Sequence, residues 1–429
     1  MLDLKLIRTE PDKVKAAIHK REMNLDDSID AILKIDVERR AVTGKVEAKK
    51  AEQNAASKQI PAMKKAGQDT TELMAQMKVL SAEIKEYDAE LGELEEKQKE
   101  LMLSLPNLPD EDVVAGGKEQ NVPLHYFKEK PVFDFPMKNH VDLCEAHGMI
   151  DYQRGAKIAG NGAWLYRGWG ARMEWALLNY FVEEHLKDGY EFILPPHQLN
   201  YDCGYGAGQF PKFSDEVYWL DLDEDRHRNR FMLPTAETAL VNMYAGEIID
   251  ESKLPMKFFA YTPCYRKEAG SARAEERGMI RGHQFNKVEM VQYAHPEHSM
   301  EAFEELVDKA ASLVEKLGLH FRVSKLAAGD CSASMARTYD VELWIPSMGI
   351  YKECSSVSNA NDYQARRNNT RYRDSKTGKP AYVHTLNGSG LATSRLIPAI
   401  VEQFQNEDGT VTVPEVLRKW LGGREYIGK

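Results

Sequence analysis

Cysteine is scarce in this chain: five of the 429 residues are cysteine, and no two of them stand in a C-x-x-C pair. Scattered single cysteines favour reduced structural thiols over a disulfide framework or a cysteine-rich zinc site, so no zinc is expected. Long apolar runs are also missing. No stretch reaches 18 apolar residues, and Met1–Arg8 lacks the apolar core of a signal peptide. We therefore expect a cytoplasmic protein without a membrane partner.

Excess positive charge is lacking as well. The 67 Asp and Glu residues outnumber the 57 Lys and Arg residues, which gives a formal net charge of −10. This balance argues against a general polyanion-binding protein, although it allows one local basic face. With 42% hydrophobic and 29% charged residues, the chain is long enough for two or three globular domains.

A helical hairpin is the first feature that is present. From Leu73 to Leu105, an unbroken 4,3 alternation of mainly apolar residues predicts a coiled-coil seam of more than four heptads. A weaker seam runs from Ile32 to Met63, and Lys64–Glu72 is short enough to reverse the chain between the two. We therefore predict an N-terminal antiparallel α-helical coiled-coil hairpin.

The two arms of this hairpin differ in charge. Residues 39–65 contain eight Lys or Arg against Glu47 and Glu52, whereas residues 72–100 contain nine acidic residues and four lysines. Electrostatic pairing between the arms explains this difference in part. Alternatively, the surplus positive charge on the first arm contacts nucleic-acid phosphates. Composition alone favours the first explanation.

The remainder of the chain has a mixed pattern. Pro106 and Pro109 end the hairpin, and an acidic segment containing glycine follows them. Beyond about Phe133, short strand candidates alternate irregularly with helices, which predicts an α+β fold with an antiparallel sheet. The predicted domains are a helical domain at residues 1–108, a linker at 109–130 and a larger domain at 131–429.

Two neighbouring strand candidates carry charged side chains on one face. Arg266 and Glu268 are two residues apart, and Phe285, Lys287 and Glu289 repeat this spacing after an arginine-rich loop. Because buried charges are costly without partners, such a face predicts a polar ligand. An anion with a flat base and a free amine, such as ATP plus an amino acid, satisfies all of these groups.

Three further segments each allow two interpretations. Thr235–Glu237 is either a helix cap or the polar lining of a pocket. Glu353–Ser356 supplies a carboxylate and hydroxyls after a strand, which suits either Mg²⁺ bridging phosphates or a surface salt bridge. Gly388–Leu391 alone indicates only a turn. Arg395, in contrast, enters a helix on its apolar side, where an arginine needs an anion.

In this order and spacing, these segments resemble bacterial-type seryl-tRNA synthetases, a family of class II aminoacyl-tRNA synthetases. The similarity covers the whole chain. Ala171–Pro196 resembles the motif 1 helix and strand, Arg266–Phe285 resembles motif 2, and Gly388–Arg395 resembles motif 3. The resemblance implies a class II catalytic domain, with an antiparallel sheet flanked by helices, that acts as a homodimer.

The resemblance also implies three overlapping sets of site residues. The catalytic residues are Arg266, Glu268 and Arg395. The serine-binding residues are Thr235, Ala236, Glu237, Arg266, Glu289 and Ser389. The ATP-binding residues are Arg266, Lys267, Glu268, Arg281, Phe285, Glu353, Cys354, Ser355, Ser356 and Arg395, of which Glu353 and Ser356 would also hold Mg²⁺.

In the family pattern each side chain has an implied role. Arg266 bridges the α-phosphate and the serine carboxylate, and Glu268 accepts from the adenine amine. Phe285 stacks on the adenine ring, and Arg395 covers its other face and reaches the γ-phosphate. Glu289 binds the serine ammonium. The pocket for the serine side chain is lined by Thr235, Glu237 and Ser389.

The implied reaction needs no protein nucleophile. The serine carboxylate attacks the α-phosphorus of ATP to give seryl-adenylate and pyrophosphate, and a tRNA ribose hydroxyl then accepts the serine. The implied tRNA partners are tRNA(Ser) and also tRNA(Sec), whose long variable arm would contact the helical hairpin through shape and backbone. The loop at 271–282 is expected to close over ATP.

Two other classes of function remain open at this point. A synthetase-like enzyme could load an amino acid onto a carrier protein, but such relatives often lack a tRNA-binding arm. A non-catalytic binding module could keep the fold, but loss of Arg266, Glu268 or Arg395 would then be expected, and all three are present.

Overall fold

The computed structural model of the chain describes residues 1–268 and 278–428. Most of the loop that is predicted to close over ATP therefore lies outside the described residues. The chain divides into two compact units. The larger comprises Met1, His19–Glu22 and Asn107–Lys429, and the smaller comprises Leu2–Ile18 and Met23–Pro106. Among the described residues, no helix is both long and apolar enough to cross a membrane.

The α-helices are short except for the hairpin and two helices of the larger unit. In chain order they are α1 Leu4–Thr9, α2 Pro11–His19, α3 Asp26–Lys65, α4 Thr71–Ser104, α5 His140–Ala146, α6 Tyr152–Ala159, α7 Gly168–Lys187, α8 Tyr201–Gly206, α9 Glu237–Leu240, α10 Ser299–Leu317, α11 Tyr363–Asn368 and α12 Leu396–Gln403.

The β-strands all belong to the larger unit. In chain order they are β1 Val122–Phe127, β2 Ile150–Asp151, β3 Leu165–Tyr166, β4 Glu191–Ile193, β5 Gln198–Asn200, β6 Arg230–Met232, β7 Ile248–Asp250, β8 Met256–Tyr265, β9 Gln284–Ala294, β10 Phe321–Lys325, β11 Arg337–Ile345, β12 Ile350–Asn359, β13 Arg371–Arg373, β14 Pro380–Tyr382, β15 His384–Ala392, β16 Val411–Thr412 and β17 Tyr426–Ile427.

Helices α3 and α4 form the hairpin that the heptad pattern predicts. Their 40 and 34 residues correspond to about 60 Å and about 50 Å at 1.5 Å per residue. The seam positions from Leu73 to Leu105 are all buried or half-buried, because they face the other arm every three or four residues. Helix α3 continues through Pro61 to Lys65 before the chain turns.

Some of the opposite charges on the two arms form ion pairs between α3 and α4. Lys49 lies 3.0 Å from Glu83, and Lys50 lies 3.0 Å from Asp88. Nearer the turn, the exposed lysines have no ion pair with any described residue. These are Lys58, Lys64 and Lys65. The end of the hairpin therefore carries positive charge that the hairpin itself does not neutralise.

The larger unit is built on an eight-stranded sheet with the order β1-β10-β11-β12-β15-β9-β8-β4. Neighbouring strands are antiparallel except for β4 and β8, which are parallel. The predicted α+β fold with an antiparallel sheet flanked by helices is confirmed. The edge strand β1 lies within the segment for which the sequence predicts a linker.

The central strand β9 shows how the sheet separates core from cavity. Val288 and Met290 point to one face, where they pack in the main core with residues of α7, α10 and α12. Phe285, Lys287 and Glu289 point to the other face and line a cavity. The period of two that is inherent in a strand thus produces an apolar face and a charged face from alternating residues.

Candidate functional site

A cavity of about 480 Å³ opens on strands β9, β12 and β15 of the central sheet. Most of the predicted site residues line it, although they come from five separate stretches of the chain. They are Thr235, Glu237, Arg266, Glu268, Arg281, Phe285, Glu289, Glu353, Cys354, Ser356, Ser389 and Arg395.

Three predicted site residues lie outside this lining. Ala236 packs in an apolar cluster beside the cavity. The Ser355 hydroxyl points away from the cavity and donates to the main-chain carbonyl of Ser389 at 2.6 Å. Lys267 donates its main-chain amide to the carbonyl of Glu216 at 2.9 Å. These residues support the walls of the cavity, and their side chains do not form its surface.

The chain leaves the sheet at the residues for which a continuing strand is predicted. Strand β8 ends at Tyr265, and Arg266 makes one more main-chain bond, to the His283 carbonyl at 2.9 Å. Glu268 has a φ of +51°, in the left-handed region. The Arg281 Nε donates to the Glu268 carboxylate at 2.6 Å. The side chains of Arg266 and Glu268 still line the cavity, as predicted. Glu268 is held there by a turn and by its ion pair with Arg281, and not by a strand.

Arg266 is held by an aromatic ring and a carbonyl. Its guanidinium carbon lies 5.1 Å from the centre of the Phe285 ring, and its Nε donates to the Pro234 carbonyl at 3.2 Å. Stacking on a ring fixes the plane of the guanidinium fork. The arginine is thereby oriented to bind a planar or tetrahedral anion in the cavity.

A buried cluster of charge occupies the floor of the cavity. The Lys287 ammonium lies 2.5 Å from the Glu289 carboxylate and donates to the Thr235 hydroxyl at 2.8 Å. Glu289 also accepts from the Asn387 amide at 3.1 Å and from the Ser389 hydroxyl at 3.4 Å. The carboxylate is thus surrounded by donors, which a buried charge requires.

Of the two interpretations of the Thr235–Glu237 segment, the structure supports the cavity lining, because the N-cap residue of α9 is Ala236 and its side chain makes no cap hydrogen bond. The Thr235 hydroxyl accepts from the Glu237 main-chain amide at 3.3 Å just before α9, and it also lines the cavity. The Gln364 amide donates to the Glu237 carboxylate at 2.8 Å. Burial, together with the nearby charge of Glu289, raises the pKa of Glu237 to about 7. The floor therefore carries less negative charge near neutral pH than its carboxylates would suggest.

A β-bulge brings Glu353 to the cavity. Val341 pairs with Ser355 whereas the next residue, Glu342, pairs with Glu353, so Cys354 is the extra residue on β12. The bulge puts Glu353 on the same side as Cys354 and Ser356. The Arg395 Nη1 donates to the Glu353 carbonyl at 2.7 Å and lies 3.8 Å from its carboxylate.

The surroundings of Glu353 and Ser356 fit a hard cation. The Glu353 carboxylate is 46% exposed and opens on the cavity. Asp340 faces Ser356 from β11, and one of its buried carboxylate oxygens has no hydrogen-bond partner among the described residues. Burial and the charge of Glu353 raise the pKa of Asp340. No group of three or more His, Cys, Asp and Glu side chains in the described part could hold a metal ion. Mg²⁺ here would need phosphate oxygens.

Several residues at the cavity have no assigned role in the sequence prediction. Lys287 appears only as part of an alternation, and Asn387 and Gln364 stand in predicted segments without a role of their own. Arg21 is the least predictable, because its buried guanidinium binds the loop at 328–335, part of which lines the cavity. It donates to the main-chain carbonyls of Asn107, Ala328, Cys331, Ser332 and Met335.

Glu174 ties helix α7 to two walls of the cavity. Its buried carboxylate accepts from the Asn286 amide at 2.7 Å and the Thr393 hydroxyl at 2.6 Å. Asn286 lies between two cavity residues of β9, and Thr393 precedes Ser394 and Arg395. Burial raises the pKa of Glu174 to about 7 from its ordinary 4.5.

We expect Glu174→Gln to weaken the pH dependence of stability. In the wild type the folded state holds a proton that the unfolded state releases above pH 4.5. The contribution of this carboxyl to the free energy of unfolding therefore falls as pH rises from 4.5 to 7. The total fall is up to about 3 kcal/mol. Glutamine keeps the acceptor oxygen and does not titrate. Urea unfolding at pH 5 and pH 8 measures the difference. Glu237→Gln is measured in parallel, because Glu237 is a second buried carboxyl whose pKa is raised to about 7. An unchanged pH dependence in Glu174→Gln would contradict the expectation.

Two family models cover most of the chain. The model described as tRNA synthetase class II core domain (G, H, P, S and T) matches residues 218–404, and the model described as Seryl-tRNA synthetase N-terminal domain matches residues 1–109. A relative from Clostridium acetobutylicum, described as Serine--tRNA ligase 2, is 58% identical over 423 residues, which covers 98% of this chain and 99% of the relative.

The chain is also similar to solved structures of seryl-tRNA synthetases. The seryl-tRNA synthetase of Pyrococcus horikoshii complexed with ATP is 34% identical with a TM-score of 0.91, covering 100% of this chain and 99% of that chain. A cytoplasmic serine-tRNA ligase from Naegleria fowleri in complex with AMP is 25% identical with a TM-score of 0.87, covering 100% and 98%. A Giardia lamblia prolyl-tRNA synthetase, 16% identical with a TM-score of 0.56 over 66% of this chain and 56% of its own, shares the fold.

Proposed function

The chain belongs to the class II seryl-tRNA synthetases, and we propose that the cavity on its central sheet is where L-serine and ATP react. The enzyme activates serine with ATP to form seryl-adenylate and pyrophosphate, and it transfers the serine to the 3′ end of tRNA(Ser). One observation carries the proposal: a buried carboxylate, Glu289 on β9, and a stacked arginine, Arg266 just beyond the end of β8, line the same cavity. They match the ammonium of serine and the phosphates of ATP.

Serine would bind at the floor of the cavity. Glu289 would accept from its ammonium, and Thr235, Glu237 and Ser389 would surround its side chain. These groups are polar and buried, so an amino acid without a hydroxyl would leave part of their hydrogen-bonding capacity unfilled. Unpaired buried polar groups are the strongest basis for rejecting an analogue, and we expect alanine to be discriminated against on this ground.

ATP would bind along the other side of the cavity. The Arg266 guanidinium covers one face of Phe285, so the adenine would stack on the opposite face of that ring. Glu268 would accept from the adenine amine while Arg281 keeps its carboxylate in place. Arg395 would reach the γ-phosphate, since it already lies at the cavity end of α12.

The reaction depends on placing two substrates and neutralising charge. A serine carboxylate oxygen forms a bond to the α-phosphorus, the bond from that phosphorus to the bridging oxygen breaks, and pyrophosphate leaves. Arg266 would contact both the carboxylate and the α-phosphate, where negative charge develops during the transfer. Glu353 and Ser356 would hold Mg²⁺, which when bound neutralises charge on the phosphates.

The hairpin of α3 and α4 is the surface that we propose for tRNA. The unpaired lysines at its end supply positive charge on a rigid arm, and phosphate contacts need no base-reading code. We extend the proposal to tRNA(Sec), which would be serylated through the same arm. In keeping with this role in translation, we propose a cytoplasmic location.

We also propose that the chain acts as a homodimer through the edge of the sheet that ends in β4. Large apolar side chains are exposed there on α7 and around β4, including Trp175 at 58% and Leu194 at 71%. Exposed clusters of this kind mark interfaces. The partner is a second copy of the same chain, in line with the motif 1 resemblance of this segment.

Leu194→Glu should convert the protein to a monomer, because it buries a charge in the proposed interface. Light scattering at micromolar concentration should give a mass of about one chain for this variant and two chains for the wild type. Leu222→Glu, which changes an even more exposed leucine elsewhere, is the control and should remain a dimer. A monomeric wild type would overturn the homodimer.

Serine-dependent ATP–pyrophosphate exchange, followed by charging of tRNA(Ser), tests the proposed function. We expect exchange with serine and not with alanine or threonine, and aminoacylation of tRNA(Ser) by the same preparation. Exchange without tRNA charging would favour loading of a carrier protein. Absence of exchange would contradict catalysis at this cavity.

A further inference from the structure

Lys287 occupies a place that the proposed substrate also needs. Its side chain is 7% exposed and contacts two residues, the Glu289 carboxylate at 2.5 Å and the Thr235 hydroxyl at 2.8 Å. Both belong to the proposed serine site. A lysine ammonium therefore neutralises the carboxylate that is expected to bind the ammonium of serine.

Neutralisation explains why the lysine lies beside Glu289. Glu289 is almost fully buried, and a second buried carboxylate, Glu237, lies near enough for its pKa to be raised by Glu289. A buried carboxylate without a cation costs several kcal/mol. Lys287 supplies that cation from the same strand, two residues away.

Serine brings a second ammonium to the same carboxylate. Two like charges beside one carboxylate repel each other in a buried site, so one of them must find another anion. Serine also carries a carboxylate, and ATP carries its α-phosphate. These two groups would meet where the proposed serine site adjoins the proposed ATP site. Lysine has a flexible four-carbon stem and can turn to them, whereas the guanidinium of Arg266 is fixed on Phe285.

The position of Lys287 on β9 suits this change of partner. It lies between Phe285, which supports Arg266, and Glu289, the proposed ammonium ligand, and all three line the cavity. Residues two apart on a strand are about 7 Å apart on the same face. Lys287 therefore stands between the ATP side and the serine side, beside the point where the new bond forms.

We propose that Lys287 is a catalytic residue that exchanges partners during adenylate formation. Before serine binds, it neutralises Glu289. When serine binds, the substrate ammonium takes Glu289, and the Lys287 ammonium contacts the oxygens shared between the serine carboxylate and the α-phosphate. It keeps its proton throughout, while the carboxylate oxygen bonds to the α-phosphorus and pyrophosphate leaves. This role rests on the proposed function of the cavity.

The test is the separation of kcat from KM in Lys287→Met, which removes the ammonium and keeps the length of the side chain. In serine-dependent exchange we expect kcat to fall about 100-fold, as when one charge-stabilising donor is lost. The KM for serine should stay the same or fall, because Glu289 has lost its internal competitor. If the lysine only holds Glu289 and Thr235 in place, KM will rise with little change in kcat, and the proposal is overturned.

Two further variants keep the test decisive if Lys287→Met folds poorly. Lys287→Arg retains the charge and should keep a higher kcat than Lys287→Met; an equal or lower kcat contradicts the role. In Lys287→Ala, added ethylammonium should restore exchange, whereas tetramethylammonium at the same ionic strength, which cannot donate, should not. A wild type without serine-dependent exchange would instead overturn the function of the cavity itself.

Discussion

Replacing Arg266 with methionine should lower serine-dependent ATP–pyrophosphate exchange by about 1,000-fold or more. The guanidinium is the group that we expect to contact both reacting partners, the serine carboxylate and the α-phosphate. Loss of one such preorganised donor costs about 10²–10³-fold in rate, and Arg266 supplies more than one donor in a fixed plane. The fall should appear mainly in kcat, because the contact strengthens as charge develops on the phosphate.

Two variants sharpen the result for Arg266. Arg266→Lys keeps the charge but not the planar fork, so we expect a loss intermediate between methionine and wild type. Arg154→Met removes an exposed arginine that pairs with Asp151 outside the cavity, and it should leave exchange unchanged. An Arg266→Met enzyme that retains a tenth or more of the wild-type kcat would contradict the position assigned to this side chain.

Shortening the helical hairpin should abolish tRNA charging and leave adenylate formation intact. Excision of residues 48–84, with a short Gly-Ser turn in their place, cuts both arms near the level of the Lys49–Glu83 pair. Charging of tRNA(Ser) should fall by about 1,000-fold in kcat/KM, since the lost arm supplies several phosphate contacts. Exchange should change by less than about twofold, because the cavity residues belong to the larger unit.

A charge-matched pair of triple variants separates shape from charge. Changing Lys58, Lys64 and Lys65 to glutamine removes the unpaired cations of α3 and should weaken charging and reduce its salt dependence. Changing the exposed Lys78, Lys85 and Lys97 of α4 alters the net charge equally and should have little effect. Equal losses in the two variants, or full charging by the shortened hairpin, would contradict the tRNA-binding surface.

The hairpin was the most predictable part of the fold, because a heptad seam is a local pattern. Each seam position between Leu73 and Leu105 is buried or half-buried, and the apolar residues three and four positions away are enough to predict this. The charged face of β9 was predictable for a similar reason. The period of a strand puts Phe285, Lys287 and Glu289 on one side wherever the strand is placed.

What the sequence did not predict depends on distant parts of the chain. The bulge at Cys354 exists only in the pairing of β12 with β11, and it brings Glu353 to the cavity side of the strand. Glu268 leaves the strand because Lys267 bonds to Glu216, some fifty residues earlier. Arg21 binds a loop about 310 residues further along the chain, and no local pattern could indicate this.

Assignment of the cavity is tested most directly by a crystal structure of this protein with a non-hydrolysable seryl-adenylate analogue and Mn²⁺ in place of Mg²⁺. We expect the analogue's ammonium on Glu289, its phosphate-mimicking group on Arg266 and its adenine on Phe285, with the Lys287 ammonium moved away from Glu289. When pyrophosphate is added to supply phosphate oxygens, anomalous scattering should place Mn²⁺ beside Glu353. An analogue bound with its ammonium away from Glu289 and its linker away from Arg266 would contradict the assignment.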